Sequence, residues 1–139
     1  MRILVVEDNR RLNTSLKTSL EEDGYAVDVA FDGDEGEAYA LAAPYDLILL
    51  DLLMPGMEGD VVLQRFKKNE RLRGIKVIGV SAAVADKGRA EQFAAACDAF
   101  LAKPLDIREL QEQLKEQLQI EWIEEEPEAG SEPLTREEI

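Results

Sequence analysis

The stretch Leu47-Ile48-Leu49-Leu50-Asp51-Leu52-Leu53-Met54-Pro55-Gly56-Met57-Glu58-Gly59-Asp60 decides how this chain is read. Its first four residues are apolar at every position, as a strand covered on both faces should be. The strand runs into Asp51 and then into a Pro-Gly loop. An acid that closes a buried strand is costly unless something uses or neutralises its charge. Partners for Asp51 should therefore lie elsewhere in the sequence.

Outward from this strand, short runs rich in Val, Ile and Leu alternate with helical patterns, the signature of βα units on a parallel sheet. The other runs are Ile3 to Val6, Ala26 to Ala30, Lys76 to Val80 and Ala99 to Ala102. Leu12, Leu16 and Leu20 recur every four residues up to Gly24, an amphipathic helix with a glycine stop. Further helices fit Gly33 to Ala43, Asp60 to Asn69, Asp86 to Ala96 and Asp106 to about Gln119. Ala-Val-Asp-Val-Ala at residues 26–30 alternates, which suits an edge strand. The α/β order (βα)5, joined by right-handed crossovers, most simply forms a doubly wound sheet of strand order 2-1-3-4-5. Ligands of such sheets bind at the carboxyl ends of the strands beside the switch point, here the first and third.

At 139 residues the chain suits one domain. No apolar run approaches the roughly 18 to 20 residues that span a bilayer, and no signal peptide precedes the first strand, so a cytoplasmic protein without membrane contact is expected. The single cysteine, Cys97, excludes an internal disulfide and reads as a buried thiol. The net charge of −14 opposes non-specific binding to nucleic acid or anionic membranes. Half of it lies in residues 121–139, which hold eight glutamates and one arginine. That segment reads as a disordered tail or a linker cut short, although Ile120, Trp122 and Ile123 suit a packed extension of the fifth helix.

The acids of interest sit at strand ends. Glu7 and Asp8 follow the first strand, Asp51 ends the third, Ser81 the fourth, and Lys103-Pro104 the fifth. In a parallel sheet all of them converge on one edge. Singly, each has a plainer reading: Asp8 and Ser81 as helix caps, Asp51 as a turn cap, Lys103 as a solvated strand end. Jointly, three crowded carboxylates repel one another unless a cation lies between them. A hard divalent cation, Mg²⁺, suits an oxygen-only site shared with phosphate oxygens. A carboxylate beside a metal, faced by a hydroxyl and an ammonium group, has the parts for phosphoryl transfer to aspartate.

From Met1 to about Gln119 the chain resembles the receiver domain of two-component response regulators. Val5-Val6-Glu7-Asp8-Asn9, Leu49-Leu50-Asp51-Leu52-Leu53-Met54-Pro55-Gly56-Met57-Glu58-Gly59, Val80-Ser81-Ala82 and Phe100-Leu101-Ala102-Lys103-Pro104-Leu105 carry the likeness. The resemblance implies a flavodoxin-like fold and Asp51 as phosphoacceptor. It also implies Glu7, Asp8, Asp51 and the backbone carbonyl of Leu53 around Mg²⁺, with Lys103 and Ser81 on the phosphoryl oxygens. Phe100 falls at the aromatic switch position, paired with Ser81, and Lys103-Pro104 is implied to be a cis peptide. The signal would spread to the face of helix four, strand five and helix five. Such a chain is no enzyme, catalysing only its own phosphorylation and dephosphorylation.

The implied phosphodonor is a histidine kinase, a histidine phosphotransfer domain or a small phosphodonor. Leu53 and Ala83, at the positions that tune the phosphate's lifetime, are apolar, so slow self-dephosphorylation is expected. No effector domain fits after Gln119, so no direct nucleic acid binding is expected, and at most a weak homodimer. The first half resembles receivers of transcription factors, while Arg108 to Pro127 looks more like receivers of hybrid kinases. Residues 1–119 are thus assigned to the receiver and 120–139 to an acidic extension, tail or truncated linker. Three other readings stay open: an interaction module on the same fold, a haloacid-dehalogenase-type phosphatase, and a flavodoxin-like cofactor module. The phosphatase would need a second Asp where Leu53 stands, and the cofactor module a phosphate loop where Glu7 and Asp8 stand.

Overall fold

A computed structural model describes residues 1–54, 58–82 and 87–125, apart from the side chains of Lys87 and residues 119–125. Strands and helices alternate as β1 (Arg2–Val6), α1 (Arg10–Glu22), β2 (Ala26–Ala30), α2 (Gly33–Ala42), β3 (Leu47–Asp51), α3 (Gly59–Lys68), β4 (Lys76–Ala82), α4 (Lys87–Ala96), β5 (Ala99–Lys103) and α5 (Ile107–Glu125). The chain divides into two units, Met1–Asp106 and Ile107–Ile139. The described part of the second is the single helix α5, with leucines at 110, 114 and 118. No helix among the described residues is long and apolar enough to cross a membrane.

All five strands run parallel in the order β2-β1-β3-β4-β5, the doubly wound order that the sequence predicts. β2 is an edge strand, in keeping with its alternating pattern. β3 lies between β1 and β4 and is buried from Leu47 to Asp51. Alternate strand residues point to opposite faces. On one face Leu4, Val6, Ile48 and Leu50 join Val62, Leu63 and Phe66 of α3 and Phe93 of α4 in one apolar cluster. Ile3, Val5, Leu47 and Leu49 serve the other face and are as deeply buried.

The helix limits follow from local chemistry. Asn9 caps α1, its side-chain oxygen accepting from the Leu12 amide at 3.1 Å. Asp32 caps α2 by accepting from the Glu35 amide at 2.8 Å. α1 stops where Gly24 takes φ of +98° and its amide donates to the Glu21 carbonyl. Three strands run further at their carboxyl ends than the apolar pattern suggests: β3 includes Asp51, β4 reaches Ala82 and β5 reaches Lys103. Asp51, Ser81 and Lys103 are therefore anchored in the sheet's hydrogen bonding, while Glu7 and Asp8 sit in the turn between β1 and α1. The Pro-Gly loop at Pro55-Gly56, Ala83, the start of the fourth helix at Asp86 and the tail from residue 126 lie outside the described residues, as do the side chains of Ile120, Trp122 and Ile123. Two glycines separate conformational demand from space. Gly24→Ala should cost about 1 kcal/mol because its φ is strained for an L side chain. Gly74→Ala, with no atom within 4 Å of the new carbon, should be neutral or stabilising when both variants are compared with the unsubstituted chain by urea titration.

Candidate functional site

The carboxyl ends of β1 and β3 bring the predicted acids together. Glu7, Asp8 and Asp51 each offer a carboxylate oxygen within 4.8 Å of the others. Glu7 and Asp51 are buried and Asp8 is partly exposed. Asp8 does not cap α1, since Asn9 does, so its carboxylate belongs to the cluster. An all-oxygen, all-anionic donor set of this size fits Mg²⁺, with positions left for water or phosphate oxygens. Leu53 follows two residues after Asp51, with its apolar side chain 38% exposed.

Lys103 reaches the cluster from the end of β5. Its Nζ lies 2.9 Å from Glu7 Oε1 and 3.3 Å from Asp51 Oδ2, one ammonium bridging two buried carboxylates. Burial disfavours its charge, but Glu7 and Asp51 outweigh that cost and hold its pKa above the ordinary lysine value. Burial of Asp51, then repulsion from Glu7, pushes the Asp51 carboxyl up to about 7, against the opposing pull of Lys103. The structure thus places a buried carboxylate beside one cation of its own, with negative charge left for a second. The Lys103-Pro104 peptide is cis.

Ser81 ends β4's buried stretch at 1% exposure, and its hydroxyl donates to the Ala82 carbonyl at 3.1 Å. Phe100 is partly buried against the apolar cluster, edge-to-face on Phe93 with ring centres 6.3 Å apart. Cys97 is half-buried, less covered than the sequence suggests. Its thiol is pushed up to about 12, first by burial and then by Asp98.

Three contributors escaped the sequence reading. A β-carbon on Gly59 would lie 2.1 Å from the Asp51 carbonyl oxygen, so glycine alone lets α3 start against the site strand. Arg89 of α4 grips Asp60 at the start of α3 through Nε and Nη2, both at 2.8 Å, and also pairs with Glu58. The Arg89 bonds come first among the causes that hold the Asp60 carboxyl below its ordinary value. Asn13 of α1 donates to the carbonyls of Glu7 and Ala30 at 3.0 Å each. The first is signalled by the glycine that ends the Asp51 stretch; the other two join residues distant in sequence or in type and leave no local pattern.

The geometry has relatives. Residues 3–115 match the family model of the response regulator receiver domain. The chain belongs to that family. It is 38% identical over 109 residues to the transcriptional regulatory protein ResD of Bacillus subtilis, a match covering 78% of this chain and 44% of ResD. It is 35% identical to the DNA-binding dual master transcriptional regulator RpaA of Synechocystis, over 78% of this chain and 45% of RpaA. The chain therefore spans less than half the length of these curated relatives. Among solved structures, the CheY-like receiver domain protein of Methanospirillum hungatei superimposes with a TM-score of 0.79 at 33% identity, covering 88% of this chain and 97% of that one. The response regulator TrrA of Thermotoga maritima, solved in complex with Mg²⁺-BeF, gives 0.73 at 32% identity over 84% and 97%.

The family carries phosphorylation-dependent signalling on a flavodoxin-like fold, and a receiver is not in general an enzyme in its own right. One expectation is corrected. The partner reading that excluded nucleic acid fails, because RpaA is a DNA-binding regulator and ResD a transcriptional one. Its physical basis, acidity and the lack of room for an effector after Gln119, described only this stretch, and the matched stretch is under half of either relative. For the site itself, Gly59→Ala should lower unfolding stability by roughly 1 to 3 kcal/mol, since the new carbon meets backbone that cannot yield. A urea midpoint equal to that of the unsubstituted chain would contradict this close approach.

Proposed function

We propose that this receiver is a phosphorylation switch whose phosphoacceptor is Asp51. The observation that carries the reading is the bridge from Lys103 to Glu7 and Asp51 inside the carboxylate cluster. Glu7, Asp8, Asp51 and the backbone carbonyl of Leu53 would hold Mg²⁺, which supplies charge neutralisation on the phosphoryl oxygens when bound. Asp51 carries out the covalent step: a carboxylate oxygen attacks phosphorus in line, the new O–P bond forms, and the bond from phosphorus to the leaving group breaks, P–N in a phosphohistidine or P–O in an acyl phosphate, the imidazole nitrogen or the carboxylate keeping the electron pair. A histidine kinase, a histidine phosphotransfer domain or a small phosphodonor can serve. Lys103, already held over Asp51, turns its ammonium to a phosphoryl oxygen and stays charged throughout.

Switching follows from the added charge. A phosphoryl group brings about −1.5 to −2 charges and three strong acceptors to the end of β3. The Ser81 hydroxyl exchanges the Ala82 carbonyl for a phosphoryl oxygen, and Phe100 moves on Phe93 as the ends of β4 and β5 shift. The phosphate biases an equilibrium between these arrangements that the fold already allows. Leu53 offers no side-chain hydrogen bond to an attacking water, so Asp51 keeps its phosphate long enough to signal. The same reading assigns residues 1–119 to the receiver and 120–139 to an acidic extension, tail or truncated linker, supported by a family match that ends at residue 115.

Intact-mass analysis after incubation with acetyl phosphate tests this directly. One added phosphoryl group is expected, dependent on Mg²⁺ and absent in Asp51→Asn. Absence of the adduct, under conditions where a known receiver labels, would overturn the reading and favour an interaction module on the same fold.

A further inference from the structure

The turn between β1 and α1 carries two of the three acids, and a side chain outside the cluster holds it in place. Asn13 is 0% exposed in the first turns of α1. Its Nδ2 group donates to the Glu7 and Ala30 carbonyls at 3.0 Å each, with the Val5 carbonyl at 3.5 Å. The Glu7 amide in turn donates to the Ala30 carbonyl at 3.0 Å. A single amide thus ties helix α1, the exit of β1 and the end of β2 to one another.

Asn13 Oδ1 is a buried side-chain atom that accepts no hydrogen bond from the described residues. Flipping the amide would set that oxygen against the same carbonyl oxygens, so the local chemistry fixes the orientation. A buried acceptor left without a donor is costly; a leucine of similar size would bring no such acceptor of its own but would leave the Glu7 carbonyl without the Asn13 donor. Packing alone therefore does not explain an asparagine. What asparagine adds is the grip on the Glu7 carbonyl.

Glu7 is held at every polar point. Its Oε2 accepts from the Asn9 amide at 3.0 Å, its Oε1 faces Lys103 at 2.9 Å, and its carbonyl is bound by Asn13. We propose that Asn13 is a positioning residue that holds Glu7 and Asp8 at the spacing a divalent cation needs, an inference that rests on reading the cluster as a Mg²⁺ site. Mg²⁺ demands near-ideal octahedral geometry. Residues that orient metal ligands from behind change affinity by roughly 10 to 100-fold when lost.

The test uses Mn²⁺ binding followed by electron paramagnetic resonance, with Mg²⁺ as competitor, on the whole chain. Asn13→Leu removes the donor and fills the space. Leu20→Ala, a fully buried change on the same helix, controls for lost stability. The expected result is affinity weakened about 10-fold in Asn13→Leu, with Leu20→Ala binding as the unsubstituted chain does and circular dichroism showing both folded. Asn13→Ala, which needs no new space, carries the same expectation if leucine is not accommodated. Unchanged affinity in the Asn13 variants would overturn the inference, and so would an equal loss in Leu20→Ala. Failure of the unsubstituted chain to bind Mn²⁺ would instead overturn the reading of the cluster as a metal site.

Discussion

Crowding of negative charge at the end of β3 is the constraint on which this structure turns. Glu7 and Asp51 are both buried, and with Asp8 they converge within one coordination shell of each other. Carboxylates so placed are unfavourable unless positive charge meets them. Lys103 supplies one such charge from β5, and it is itself held above its ordinary pKa by the acids it neutralises. The remaining negative charge suits a divalent cation and a phosphoryl group arriving together. In the proposed function, affinity for Mg²⁺ and reactivity toward phosphorus would have one electrostatic origin.

The fold makes this crowding possible at fixed geometry. Parallel strands put Glu7, Asp51, Ser81 and Lys103 at the same edge, because every strand of the sheet ends on the same side. Backbone contacts then set the fine spacing. Gly59 brings the start of α3 onto the Asp51 carbonyl, and Asn13 binds the backbone behind Glu7. Arg89 links α4 to the entrance of α3 across its pairs with Asp60 and Glu58. The elements that surround Asp51 are therefore joined to one another as well as to the sheet.

Much of this was legible in the residues alone. Leu47 to Leu50 announces a strand buried on both faces, Gly24 a helix stop, and the alternation of Ala26 to Ala30 an edge strand, because each signal is local and periodic. Glu7, Asp8, Asp51, Ser81 and Lys103 could be named because they sit at strand ends, where topology alone decides proximity. Asn13 and Arg89 could not. Their partners lie up to 31 residues away, and a polar residue within a helix looks like solvated surface until its burial is known. The exclusion of nucleic acid failed for another reason: charge and length describe a segment, whereas output belongs to the regulators in which such segments occur.

The electrostatic account is tested most directly by the metal affinity of Lys103→Met. If Lys103 and the divalent cation answer the same excess of negative charge, removing the ammonium frees Glu7 and Asp51 and leaves the cluster more negative. Titration calorimetry should then show Mg²⁺ binding several-fold tighter than in the unsubstituted chain, since a charge pair at about 4 Å contributes on the order of 1 to 4 kcal/mol between the limits of water and protein surface. Unchanged or weaker binding, in a variant that remains folded, would contradict the claim that these two cations share one site of negative charge.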